Sequence, residues 1–217
     1  MSAIFPKWTN RLPLFLGIGA VLIGGGVATG VTYYFTQEYT NTGYQPIQPV
    51  PFSHKVHAGQ LGMDCRYCHT GVEKSWYANI PAPTLCMNCH AQVLKDDPRL
   101  APIRDAVQTG KPVQWVQIHK VPEYVYFNHA VHVNRGVGCA ECHGSINKMD
   151  EVFEVKSFSM TFCLDCHRDP AAHLRPPDKI TDLDWHAESP EKQRALGEKI
   201  QHDWNVQSLQ NCSSCHR

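Results

Sequence analysis

The sequence predicts a mostly irregular, α-helical chain: one N-terminal transmembrane helix, then a domain with little regular secondary structure. Three observations predict it. The spelling Cys-x-x-Cys-His occurs five times and uses all 10 cysteines. Residues 12–35 carry no charge at all. From residue 52 on, about 170 residues remain for five motifs, or one motif per about 35 residues. The 15 prolines and 15 glycines suit short loops better than long elements.

Cys-x-x-Cys-His is the attachment site of a c-type haem. The two thiols bond to the macrocycle and the adjacent His becomes the proximal iron ligand. An exported chain could instead pair its cysteines as disulfides, and a Cys-x-x-Cys could be half of a zinc site. Neither explains a His directly after the second Cys in every copy. The reading is therefore five covalently attached haem c groups. They would be held by Cys65 and Cys68, Cys86 and Cys89, Cys139 and Cys142, Cys163 and Cys166, and Cys212 and Cys215. The proximal ligands would be His69, His90, His143, His167 and His216. So little polypeptide cannot build a large side-chain core and also bury five macrocycles, so the haems are expected to be the core. Without them the chain is expected to stay unfolded, as small metal-organised domains do.

In order along the chain, residues 1–11 are expected in the cytoplasm, because Lys7 and Arg11 flank the apolar run on that side. Residues 12–35 are long enough to cross a bilayer. The run exceeds a signal-peptide core and no good cleavage site follows it, so it reads as a retained anchor. Ala20, Gly24 and Ala28 line one face, and Gly26 and Gly30 a second, which would let another membrane helix approach closely. Tyr33, Tyr34 and Phe35 suit the outer interface. Residues 36–51, with Pro46, Pro49 and Pro51, read as a linker. The pentahaem domain spans 52–217 and would lie in the periplasm, outside the cytoplasmic membrane.

That domain contains a repeat. Phe52-Ser-His54-Lys-Val-His57 leads into the first motif and Phe127-Asn-His129-Ala-Val-His132 into the third. Lys74 and Lys148 each stand five residues after the proximal His. The second and fourth motifs also match, as Thr84-Leu-Cys86 and Thr161-Phe-Cys163. Two-haem units are thus expected near 52–100 and 127–175, with a fifth haem added near 200–217. Between them, Asp97-Pro98 reads as a helix start, Leu100, Ile103 and Val107 as its apolar face, and Gly110 as its end. Trp115 to Tyr126 reads as extended, and Ser189-Pro190 as the start of a charged helix.

A low-spin transfer haem needs a sixth ligand. Of 13 histidines, eight are not proximal. In Phe-x-x-His-x-x-His the two histidines share a helical face but reach different places. One can serve the haem of its own module and the other a neighbour, so His54, His57, His129 and His132 are the leading distal ligands. His54 and His129 are assigned to the first and third haems, whose motifs follow. His119 is the fifth choice. His202, His173 and His186 are alternatives, as are Met160 and Met149, since a Met ligand raises the potential.

The order Phe-x-x-His-x-x-His then Cys-x-x-Cys-His resembles the class III, or cytochrome c3-like, multihaem family. That resemblance implies that the first of the paired histidines serves the following motif and the second another haem. The single anchor, the five motifs and the run from Trp115 through Tyr124-Val-Tyr-Phe-Asn-His129 to Gly144 are similar to the pentahaem, membrane-anchored subunits of alternative complex III. If so, quinol is oxidised elsewhere in the assembly. Electrons would pass from an iron–sulfur subunit into this chain and leave to a monohaem cytochrome, a soluble carrier or an oxidase.

Three functions follow in order of preference. The first is a non-enzymatic electron wire in a quinol:acceptor complex of a respiratory or photosynthetic membrane. The second is a stand-alone anchored quinol dehydrogenase feeding a periplasmic reductase. The third is a catalytic multihaem reductase, which needs an open iron. Acidic and basic residues balance at 20 each, which argues against nucleic acid as a partner.

Overall fold

The computed structural model describes residues 5–36 and 41–216. Residues 1–4 of the expected cytoplasmic segment, 37–40 of the expected linker and Arg217 lie outside the described residues. The fold is helical and irregular. Among the described residues there is no strand, and only the isolated bridges Val125–His216 and Val137–Leu174 pair extended chain.

A 3₁₀ turn at Lys7–Arg11 leads into α1, Leu12–Phe35. Pro13 sits in its first turn, where a missing N–H costs nothing. No residue of α1 is buried. Leu14, Leu16, Val21, Leu22 and Ile23 are all exposed. A helix apolar all round with no protein against it suits lipid rather than water. At 1.5 Å per residue its 24 residues span about 36 Å, enough to cross a bilayer.

Residues 43–48 are hydrogen-bonded to the domain rather than free of it. Gly43 N–H donates to Glu154 O and Glu154 N–H to Tyr44 O, at 2.7 and 3.1 Å. The Gln48 amide both donates to Val116 O and accepts from Val116 N–H. Glu154 is enclosed, at 1% exposure, with Oε1 lacking a partner. Burial pushes its carboxyl above the usual range. A raised folded-state value means the native state binds the proton more tightly than the unfolded chain. Stability therefore falls as pH rises above about 4.5, the ordinary glutamate range. Glu154→Gln, which cannot ionise, is expected to gain on the parent between pH 5 and pH 8, read as a growing difference in urea midpoint. An equal difference at both pH values would refute this.

The repeat appears as reciprocal docking. The π-helical turn Lys55–Gln60 follows His54. Its Lys55 N–H donates to Met149 O, just beyond the third motif, at 2.9 Å. The matching residue Ala130, in helix α5 (His129–Val133), donates to Ser75 O beyond the first motif at 3.1 Å. Asn134 Nδ2 donates to Glu73 O, and its counterpart Gly59 lies against Asn147 O so closely that a Cβ would sit 2.3 Å away. Each module thus braces the lead-in of the other. Cys65 follows His54 by eleven residues, whereas Cys139 follows His129 by ten. The wider π turn absorbs the extra residue.

The motif helices are short: α2 (Cys65–Cys68), α3 (Pro83–His90), α6 (Cys139–His143), α7 (Met160–Arg168) and α9 (Cys212–Cys215). Helix α4, Ala101–Thr109, packs against α3 and ends at Gly110, left-handed at φ +71°. Its buried face is Ile103 and Ala106, while Val107 is exposed. The apolar spacing located this helix, but packing took the small Ala106 inward instead of Val107.

Helix α8, Pro190–Asp203, is capped by Ser189 Oγ on Lys192 N–H. It lies on the turn Pro170–Ala172, where Gly197 meets Ala171 O so closely that a Cβ would be 1.9 Å away. The Gln193 amide donates to Ala171 O and Leu174 O. Buried apolar side chains are few and dispersed. Among the described residues nine are buried, from Val50 and Ile103 to Leu174, Leu183 and Ile200.

Candidate haem-ligand pairs

Within each motif the two cysteines are three apart on one helical turn, so both thiols face the same way. Side-chain caps start several of these turns. Asp64 accepts from Arg66 N–H ahead of α2, and Asn211 from Ser214 N–H ahead of α9. All ten thiols are free, with no disulfide among them. No cluster of three or more His, Cys, Asp or Glu side chains converges on a bare metal ion among the described residues. An iron already held by a porphyrin asks for only two protein donors, and pairs are what the chain provides.

Four histidine rings face four proximal ones across similar gaps. His54 stands 6.4 Å from His69, centroid to centroid, and His129 stands 6.5 Å from His143. Their planes differ by 4° and 5°. His57 is 6.2 Å from His90 and His132 is 6.2 Å from His167, with planes tilted by 56° and 72°. An imidazole nitrogen binds a transition metal at about 2 Å, so two rings in line on one metal have centroids roughly 6 Å apart. The gaps fit one iron each.

The other ring nitrogen supports the same orientation. Nδ1 of His57, His69, His90, His129 and His132 bonds the main-chain carbonyls of Ser53, Asn79, Val93, Trp76 and Asn128, at 2.7–2.9 Å. Such a bond fixes the tautomer and leaves Nε2 free for a metal. Burial holds His54 near pKa 4 and His143 near 3, so both are neutral at pH 7, the form that ligates. Phe52 and Phe127 explain the first letter of the repeat. Phe52 stacks on His57 at 4.3 Å and meets His54 edge-on at 4.9 Å. Phe127 does the same to His132 and His129, at 4.8 and 4.7 Å.

The other candidates lie elsewhere. His119 stands edge-on to His143 at 4.4 Å, too close for an iron between them. His173 Nδ1 bonds Glu141 at 3.0 Å. The neighbouring Cys166 thiol and the Glu141 carboxylate raise its pKa to about 10. His202 is 89% exposed beside Asp203. Among the described residues no ring contact joins His186 to a proximal histidine. Met160 is 62% exposed at the start of α7, and Met149 serves through its carbonyl in the docking described above. The ring against His216 is Tyr124, at 5.8 Å and 26°. Face-on stacking beyond an iron would need a wider gap, so Tyr124 flanks His216 rather than opposing it. Tyr126 N–H bonds Cys215 O at 2.7 Å and anchors this last motif.

The residues therefore fit haem c at the first four motifs through thiol pairs and opposed rings, and at the fifth through Cys212, Cys215 and His216. The motifs are also strung in a row. The thiols of neighbouring motifs lie near enough to shift one another's protonation: Cys68 with Cys86, Cys65 with Cys139, Cys142 with Cys163 and Cys166, and Cys163 with Cys215. The spatial order is thus second, first, third, fourth, fifth. Sequence reasoning did not single out the polar clamp beside the third motif. Glu141 accepts from Arg175 at 2.7 Å as well as from His173. Arg175 is 4% exposed and lies over the Trp185 ring. The one sequence signal was the charged residue inside Cys-Ala-Glu141-Cys.

Residues 125–217 match the family model described as cytochrome c7 and related cytochrome c. The chain is also 36% identical over 132 residues to the menaquinone reductase, multiheme cytochrome c subunit, of Nitratidesulfovibrio vulgaris Hildenborough. That alignment covers 60% of this chain and 58% of the relative, so the chain spans less than two thirds of the relative's length. Residues 125–217 are thus similar to cytochrome c7 and related cytochromes c, and the chain carries an N-terminal apolar helix.

Proposed function

We propose that this chain is the electron-transfer subunit of a quinone-linked membrane complex, carrying five haem c groups and catalysing no reaction itself. The observation that supports this is the set of four opposed histidine pairs, which would hold four irons between them and leave no room there for a substrate. Haem c supplies one-electron ferric/ferrous chemistry. The chain's own residues hold the axial ligands neutral, fix ring orientation through main-chain carbonyls and set the order of the centres. That order makes the second and fifth motifs the two ends of the wire. The anchor α1 would cross the cytoplasmic membrane once, with residues 1–11 inside and 52–217 in the periplasm. Membrane subunits, an iron–sulfur subunit and a monohaem or soluble carrier are the expected partners, as in alternative complex III.

A second reading reverses the current. The relative's name, menaquinone reductase, favours electrons running from a periplasmic donor toward quinone. The experiment is purification from the native membrane, with subunit identification, haem count by mass, and assays in both directions. Co-purifying iron–sulfur and multi-span subunits with five haems are expected. A chain that purifies alone and oxidises quinol would favour the stand-alone dehydrogenase. A chain without covalent haem would end the proposal.

A further inference from the structure

Three motifs hold a charged residue between their cysteines: Arg66 in the first, Glu141 in the third and Asp165 in the fourth. Two of these pair in the open. The Arg66 side chain is 46% exposed beside Asp64, and Asp165 is 66% exposed beside Arg168. At the third motif the partner of Glu141 is Arg175, whose side chain is only 5% exposed. The backbone places it there. Val137 and Leu174 form an antiparallel bridge, and Arg175 N–H donates to Gly136 O at 2.8 Å. The side chain then lies against Gly138, which precedes Cys139 at the start of α6. A Cβ on Gly138 would collide with Cδ, Nε and Cζ of Arg175, so glycine is what admits the guanidinium. Nη2 donates to Glu141 at 2.7 Å and Nη1 to Asp182 O at 3.2 Å, while the Trp185 ring stands 5.3 Å away. Nε is sealed from solvent without a partner.

A guanidinium keeps its charge at every working pH. The one carboxylate bonded to this one is 26% exposed, and its other oxygen bonds His173 Nδ1 at 3.0 Å. Water screens a partly open charge more than an enclosed one, so the positive end of the pair acts more strongly inside the protein. We propose that Arg175 is a fixed positive charge built against the third motif, and that it raises the reduction potential of the third haem. This rests on the reading of Cys139-x-x-Cys142-His143 as a haem site. The sign follows from charge alone. Reduction takes one positive charge off an iron, so a nearby cation favours the reduced form and a nearby anion opposes it. Buried charge is one of the levers a protein has on a haem potential. Arg66 and Arg168 stand in solvent and exert less of it.

The test uses the full chain in its native complex, with Arg175→Met, Arg175→Lys and Glu141→Gln. The readouts are haem count by mass, high-spin iron by electron spin resonance, and a spectroelectrochemical titration. All three variants are expected to carry five haems with no new high-spin signal. In Arg175→Met one of the five redox steps moves to lower potential. In Glu141→Gln the same step moves to higher potential, although both variants break the same ion pair. Arg175→Lys keeps the charge without the fork, and its step stays nearer the parent than that of Arg175→Met. Opposite signs separate charge from packing, because loss of a structural clamp would move the step the same way in both. An Arg175→Met step that does not fall, or a Glu141→Gln step that does not rise, overturns the proposal. Removing one partner of an enclosed pair is costly. If Arg175→Met does not mature or gains high-spin iron, Glu141→Gln and Arg175→Lys decide: a raised step in the first with a step near the parent's in the second supports the proposal, and any other pattern overturns it. A parent protein without covalent haem would instead sink the functional reading itself.

Discussion

Produced without haem attachment, the chain is expected to lose its tertiary structure beyond α1. The reason lies in what is buried. Among the described residues only nine apolar side chains are buried, spread from Val50 to Ile200. Each ordered residue costs about 1–2 kcal/mol of backbone entropy, and so few buried side chains do not offset it. The motif helices α2 and α9 are four residues each, far too short to persist alone. In the haem-bearing protein the opposed ring pairs tie distant segments through metal bonds, so binding energy becomes folding energy. The measurement is far-UV circular dichroism and proteolysis of the soluble part, made with and without the attachment machinery. A haem-free domain that unfolds cooperatively on heating would refute this.

His132→Ala is expected to turn one iron of five high-spin and open it to carbon monoxide, leaving haem attachment intact. His132 faces His167 across 6.2 Å, and no other unpaired histidine ring is near that gap among the described residues. The His132 ring is held there by Asn128 O and by Phe127 stacked against it. About one fifth of the Soret absorbance should respond to carbon monoxide in the variant. His57→Ala should do the same at the second motif, through His90. An unchanged low-spin spectrum would mean that some other side chain ligates these irons. The covalent thioethers keep the macrocycle in place, so the variant reads ligation and not retention.

The two modules also brace each other. Each pair of candidate distal histidines is tied to the loop that follows the other module's motif, through Lys55 N–H on Met149 O and Ala130 N–H on Ser75 O. The first and third motifs meet at Cys65 and Cys139. Loosening one module would disturb the axial ligands of the other.

Much was legible in the amino-acid sequence. The thiols and proximal histidines are adjacent in the chain, so their chemistry is local and a spelling carries it. The repeat was legible for the same reason, since Phe52-x-His54 and Phe127-x-His129 are each one turn. The apolar run of α1 needed only length and charge. Which distal ring meets which proximal ring is a different matter. His57 meets His90, and His132 meets His167, across 33 and 35 residues of chain. No spacing rule links them, and only the path of the backbone does. The same holds for His119. By residue type it was the fifth ligand candidate, and only the fold sets its ring edge-on to His143. The spatial order of the motifs, with the first and third at the centre, likewise belongs to the fold. Sequence decides which side chains can bind iron, because ligand chemistry is a property of the residue. Tertiary structure decides which of them do so together, because an axial pair is defined by a gap of about 6 Å between segments far apart in the chain.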